Sequence, residues 1–362
     1  MKKRVVAGIL AGLFALSTLA GCGNSETDSG STSDSPTTET TEEASDDSAT
    51  TDDAATGDTA SEDVGTVTMI LALRDEFLST LESGAKQAAE EMGIKLNTAD
   101  AQSDTSKLIQ FIETARNDGQ KAVIVNMVDP ETAQQCVEAA GDMKVVFVNR
   151  PPVDTDATLN ENVVYVGSDE MYSGRYQGEW LAEYFKAEGK TEISYILLNG
   201  TIGNVSTTQR TESVLKALED NGITATESTA PLMCDFDRAT AQDMITPLLK
   251  TTEYDCIIAN NDAMALGAIE ALKAEGLDPT TIPVVGIDAT EDGRAAVKDG
   301  EMGMTVFQDA YGQGFGALLA AKNLIEGKDL NDGSTYEVDE TGYILWVPFE
   351  PVTIDNVADY DK

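Results

Sequence analysis

The chain predicts an α/β protein made of two doubly wound parallel-sheet lobes. Three observations carry the prediction. Short apolar runs alternate with helix-like segments from Val64 onward. Seven of these runs stop at polar residues able to line a site. The series also breaks once, near Gly167-Ser168-Asp169, and then starts again. With 362 residues the chain is long enough for two such lobes with real cores.

The amino end stands apart from this pattern. Lys2, Lys3 and Arg4 precede an apolar stretch from Val5 to Leu16, the pattern of a secretion signal and short for a membrane span. It ends in Leu19-Ala20-Gly21-Cys22, which resembles the bacterial lipoprotein box. That resemblance implies lipidation of Cys22 and attachment to the outer face of the cell membrane. Residues 23–63 hold 13 of the 64 acidic residues and no basic one, with few large apolar side chains. Such a segment cannot bury enough surface to offset its ordering entropy, so a disordered acidic linker is expected.

The first lobe starts with the apolar run Val67–Leu73, followed by Arg74-Asp75-Glu76-Phe77. Leu81, Ala85, Ala88, Ala89 and Met92 then mark one helix face. A helix near Thr105–Asn117 leads to the strand Ala122–Val125, which ends at Asn126. A helix at Glu131–Ala140 leads to Val145–Val148, which ends at Asn149-Arg150. After Pro151-Pro152 and a polar loop, Val163–Val166 resumes the sheet.

The second lobe repeats the alternation. Helix Met171–Ala187 precedes strand Ile193–Leu198, which ends at Asn199. Helix Thr207–Asp220, a strand near Thr224 and helix Ala239–Leu249 follow. The apolar run Cys256–Ala259 stops at Asn260-Asn261-Asp262, which can cap the Ala-rich helix after it. Val284–Ile287 ends at Asp288, and Met304–Phe307 ends at Gln308-Asp309. Thr335–Asp339 and Tyr343–Val347 read as final strands.

Composition narrows the function classes. The net charge is −40, which argues against nucleic acid as a partner. No histidine is present, which removes the commonest general base and metal ligand. The four cysteines, Cys22, Cys136, Cys234 and Cys256, show no C-x-x-C spacing, so neither a zinc site nor a redox motif is indicated. Cys136 and Cys256 fall in packing positions, and a disulfide of Cys234 with either is left open. No cofactor is expected.

In open α/β sheets, ligands bind at the carboxyl edge of the strands. That rule gathers Asp75, Asn149, Arg150, Arg210, Asn261, Asp288 and Gln308 as candidate lining. Carboxylates accept from hydroxyl groups, while amides and guanidinium groups donate to them, so the set suits a neutral ligand dense in hydroxyls. Phe77 and Phe236 adjoin these residues and could pack on the C–H face of a sugar ring; core packing fits their pattern equally well. An enzymatic reading, with Asp75 and Asp288 as a carboxylate pair for glycoside hydrolysis, has no other catalytic motif behind it.

Taken together, the residues resemble the ribose- and galactose-binding proteins of sugar ABC transporters, over about residues 65–358. The resemblance rests on Ile258-Ala259-Asn260-Asn261-Asp262-Ala263-Met264-Ala265-Leu266-Gly267, Pro283-Val284-Val285-Gly286-Ile287-Asp288, Val164-Tyr165-Val166-Gly167-Ser168-Asp169 and Val145-Val146-Phe147-Val148-Asn149. Asp75-Glu76-Phe77 and the tail from Tyr336 to Asn356 look most like the glucose/galactose branch. Arg150, Asp235-Phe236-Asp237-Arg238 and Gln308 look instead like the ribose branch. Asn204 and Ser206 stand where the galactose branch has His and Asp, so the pocket is a hybrid.

The resemblance implies a type I periplasmic binding protein, with lobes joined by three crossings near residues 168, 308 and 346. The lobes would be residues 64–168 with 309–346, and 169–308 with 347–362. Asp75, Phe77, Asn149 and Arg150 would meet the sugar from the first lobe. Asn204, Arg210, Phe236, Asn261, Asp288 and Gln308 would meet it from the second. The protein would be a monomer outside the cytoplasm, delivering a monosaccharide, galactose or glucose first, to an ABC permease without bond-breaking chemistry. A chemotaxis or sensing role, or a pentose or other polyol as ligand, is the alternative. The galactose branch carries a calcium loop, but the matching region 186–193 lacks the ligands, so no metal is expected.

Overall fold

The computed structural model describes residues 64–361. The expected secretion signal, Cys22 and the expected acidic linker lie outside the described residues.

The first lobe opens with β1 (Thr66–Leu71), α1 (Glu76–Met92), β2 (Lys95–Asp100), α2 (Thr105–Asn117) and β3 (Ala122–Val125). It continues with α3 (Ala133–Ala140), β4 (Lys144–Val148), the single turn α4 (Thr155–Thr158) and β5 (Val163–Gly167). The second lobe runs α5 (Glu170–Ala187), β6 (Glu192–Asn199), α6 (Val205–Asp220), β7 (Thr224–Glu227), β8 (Leu232–Met233) and α7 (Arg238–Ile245). It continues with β9 (Cys256–Ala259), α8 (Asp262–Ala274), β10 (Val284–Val285), α9 (Glu291–Lys298) and β11 (Met304–Gln308). The chain ends with α10 (Ala310–Glu326), β12 (Glu337–Val338), β13 (Ile344–Trp346) and β14 (Phe349–Thr353).

The two sheets share the order of their first five parallel strands, and the first sheet adds another parallel strand, β13, beside β5. The first has the order β12-β13-β5-β4-β3-β1-β2, and the second β14-β11-β10-β9-β6-β7, with β8 added beside β6. The parallel strands of each follow the doubly wound order 2-1-3-4-5, which leaves a crevice between strands 1 and 3 at the carboxyl edge. The antiparallel strands β12 and β14 close one edge of each sheet.

The central strands are apolar because both faces are covered. In β1, Val67, Met69 and Leu71 join the core under α1 and α10, and Ile70 joins the core under α2 and α3. The second sheet is buried the same way, Ile257 and Ala259 on one face and Cys256 and Ile258 on the other. Cys136, Cys234 and Cys256 are buried free thiols, so no disulfide joins them.

The chain passes between sheets three times. It leaves the first after β5, returns between β11 and α10, and leaves again between β13 and β14. Helix α10 packs on α1, where a Cβ at Gly314 would lie 2.7 Å from Ala85 N; only glycine admits that approach. At the first crossing, Gly174 brings α5 onto α6, where an added Cβ would meet Arg210 O at 2.2 Å. Gln177 Nε2 donates to Ala259 O at 2.9 Å and Gly286 O at 3.0 Å, tying α5 to the ends of β9 and β10.

Candidate ligand-binding cleft

One wall of the cleft comes from the first sheet. Asp75 caps α1, its Oδ1 accepting from Leu78 N at 2.7 Å, and the helix start turns Phe77 into the cleft. Burial raises the Asp75 pKa, and the Leu78 amide and Arg150 only partly oppose this. Asn149 follows β4 in a left-handed conformation, φ 65°, uncommon for a non-glycine residue. Its Nδ2 donates to Gln313 Oε1 at 3.2 Å, and Asn126 Nδ2 donates to its Oδ1 at 3.3 Å. Arg150 Nη1 donates to Met127 O at 3.0 Å, which holds the guanidinium at the wall. Burial lowers the Arg150 pKa, partly offset by Asp75.

The facing wall comes from the second sheet. Asn204 caps α6 and Asn261 caps α8, so both helix N-termini point at the cleft. Their positive ends favour oxygen-rich groups there. Phe236, at φ 60°, follows β8, and its ring lies over Gly200, where a Cβ would collide at 2.0 Å. Asp288 has φ 118° and hangs between its own amide bond to Val306 O and the Gln308 amide bond to its carbonyl. Burial pushes its carboxyl well above the usual range; Arg210 opposes this, while Asp262, Asp75 and Glu170 add to it.

Arg210 organises this wall. It is almost fully buried and forks onto Glu170, with Nε to Oε2 at 2.7 Å and Nη2 to Oε1 at 3.0 Å. Nη1 donates to Asn260 O at 2.7 Å and lies 3.9 Å from Asp288 Oδ1. Nη2 also donates to Gln308 Oε1 at 3.2 Å. Burial pulls the Arg210 pKa down, but the Glu170 carboxylate outweighs it and holds it above the ordinary value. Gln308 Nε2 is buried and has no partner among the described residues, a donor left over for something else.

The ten candidates meet in one cavity of about 410 Å³, counting its open mouth. It is lined by Asp75, Phe77, Asn149, Arg150, Asn204, Arg210, Phe236, Asn261, Asp288 and Gln308, with Leu78 and Ser206. Sequence reasoning missed Glu170, whose only signal is its place directly after Asp169 at the first crossing. It also missed Gln313, which joins Asn149 to Ser168 Oγ at 3.1 Å. The arrangement offers carboxylate acceptors and guanidinium and amide donors on both walls, with two aromatic faces between.

Comparison with known proteins places this geometry. Residues 67–329 match the family model described as periplasmic binding protein domain, and the chain belongs to that family. A Rhizobium meliloti protein provisionally described as rhizopine-binding is 33% identical over 79% of this chain and 89% of its own length. The D-galactose/methyl-galactoside binding periplasmic protein of Haemophilus influenzae is 32% identical over 80% of this chain and 89% of its own. A solute-binding protein of an ABC transporter from Bacillus halodurans, solved with myo-inositol bound, is 29% identical. It superposes with a TM-score of 0.69 over 83% of this chain and 99% of its own. As a member of that family, this chain is a binding protein and not an enzyme. The hydrolytic reading of Asp75 and Asp288 is therefore set aside.

Proposed function

We propose that the protein is the solute-binding component of a sugar ABC transporter and that the cleft captures one neutral, ring-shaped polyol of monosaccharide size. A galactose- or glucose-type hexopyranose is the first candidate. The observation that carries the reading is the convergence of acceptors (Asp75, Asp288), donors (Arg150, Arg210, Gln308) and aromatic faces (Phe77, Phe236) from two lobes on one cavity. A hydroxyl-dense ring meets both kinds of partner, since each hydroxyl donates once and accepts as well. The kinship with the Haemophilus influenzae galactoside binder supports a hexose. myo-Inositol is the second reading, favoured by the ligand of the Bacillus halodurans structure. A pentose comes third, on the strength of Arg150, Phe236 and Gln308.

The three crossings act as the hinge of a type I binding protein, on this reading. Closure buries the ligand between walls that each supply part of its hydrogen bonds, and the closed form docks on the permease. Cys22 carries the lipid that holds a monomeric protein outside the cytoplasm. A sensing role would use the same closure to present the lobes to a receptor, and uptake by a deletion strain separates the two.

The reading is tested by a thermal-shift screen of the purified full chain against galactose, glucose, ribose, xylose, arabinose and myo-inositol. A ligand at one hundred times its Kd adds about 2.7 kcal/mol of apparent stability. A shift of several degrees with one or two of them is expected. No shift with any of the six would remove simple sugars and inositol as ligands.

A further inference from the structure

Behind Asp288 lies a second carboxyl with no contact to the cleft cavity. Asp262, the first residue of α8, is fully buried. Its Oδ1 accepts from Thr305 Oγ1 at 2.6 Å. Its Oδ2 accepts from Thr290 N at 2.8 Å and from Thr290 Oγ1 at 3.3 Å. Thr305 Oγ1 in turn accepts from Ala289 N at 3.1 Å, and Asp262 N donates to Ile287 O at 2.7 Å. One residue thus grips the turn from Ile287 to Thr290 at both ends.

That turn needs holding. Asp288 and Ala289 both lie at positive φ, 118° and 49°, a conformation that strains residues other than glycine. The fold also makes room for the carboxyl. A Cβ at Gly286 would lie 2.2 Å from Asp262 Oδ1, and one at Gly293 would lie 2.0 Å from Oδ2.

We infer that Asp262 is the positioning residue of the cleft: its carboxyl holds the Ile287–Thr290 turn in the strained form that aims Asp288 at the ligand. The inference rests on the cleft being the ligand site. Asp262 acts through Asp288 and does not touch the ligand.

The first arm of the test needs no ligand. Amide hydrogen exchange is followed in the full chain for the wild type, Asp262→Ala and Asp262→Asn. In Asp262→Ala the Ala289 and Thr290 amides should exchange at least tenfold faster, with Ile257 and Ile258 of β9 unchanged. Asp262→Asn should keep most of the protection, since its amide can donate to Thr305 Oγ1 while its carbonyl accepts from Thr290 N. If Asp262→Ala does not fold, Thr305→Val, which removes the hydroxyl bound to Ala289 N, should release that amide. Wild-type exchange at residues 289 and 290, or acceleration spread evenly over the second lobe, would overturn the inference.

The second arm is a double-mutant cycle on Kd for D-galactose and myo-inositol. Asp262→Ala should weaken binding at least tenfold alone and add almost nothing to Asp288→Ala. Additive losses would overturn the positioning role. If neither compound binds the wild type, the galactose and myo-inositol readings fail, and the exchange arm still decides what Asp262 does.

Discussion

Removing Glu170 should cost the protein much of its stability although Glu170 does not line the cleft. Glu170 and Arg210 have side chains 2% and 6% exposed, and Glu170 takes both ends of the guanidinium fork. Ser206 Oγ also donates to Glu170 Oε1 at 3.0 Å. Glu170→Ala leaves a buried guanidinium with its nearest remaining carboxylate, Asp288, at 3.9 Å. Breaking a buried pair by deleting one partner costs about 3–5 kcal/mol. At about 2–4 °C per kcal/mol, that lowers Tm by roughly 6–20 °C. The assay is circular-dichroism melting of the full chain. Replacing both partners, Glu170→Met with Arg210→Met, should recover at least half of the loss, because no lone charge stays buried. The double variant should still fail to bind ligand, since the donor that holds Gln308 and approaches Asp288 is gone. A Glu170→Ala melt within 2 °C of wild type would refute the claim that Arg210 depends on Glu170.

Three further outcomes follow from the same geometry. Asp288→Ala should weaken ligand binding by about 2–3 kcal/mol, roughly 30- to 150-fold, measured by calorimetric titration, because it strips an acceptor from a desolvated site. Gly200→Ala should lower affinity with little change in secondary structure, read by titration and circular dichroism, because the new methyl group occupies the place of the Phe236 ring and drives it into the cleft. The contribution of three buried carboxyls to the stability of the unliganded chain should fall as pH rises toward neutrality. Burial lifts Asp262 from 3.8 to about 7 and raises Asp75 and Asp288, so the folded chain binds these protons more tightly than the unfolded one. Their contribution is full below pH 3.8 and lost as pH rises through 7 for Asp262. Urea unfolding of Asp262→Asn should show a slope shallower by up to about 1.4 kcal/mol per pH unit between pH 4 and 7.

The central strands were legible because burial on both faces leaves only apolar residues, as in Ala122–Val125 and Cys256–Ala259. The edge strand β2 was not. Its sequence Lys-Leu-Asn-Thr-Ala-Asp is half exposed and carries no apolar run, so only pairing with β1 makes it a strand. The same holds for β14, where the exposed Glu350 and Pro351 mask an edge strand paired with β11. Helix α10 also went unread, although it is rich in Ala, Leu and Gly, because no polar signal marks its role of returning the chain to the first sheet. In the cleft, residues that end strands were readable from position alone, as with Asn149 and Asp288. The role of Glu170 was not, nor that of Asp262 beyond ending a strand, because they act through partners distant in sequence: Glu170 on Arg210, 40 residues away, and Asp262 on Thr305, 43 residues away. No local pattern records such pairs.

The most direct test of the account is isothermal titration of the full chain with D-galactose, D-glucose, D-ribose and myo-inositol, beside Asp288→Ala. Saturable binding of at least one of them at one site per chain is expected, weakened at least 30-fold in the variant. Binding that the variant leaves unchanged, or none with all four, would contradict the reading of this cleft.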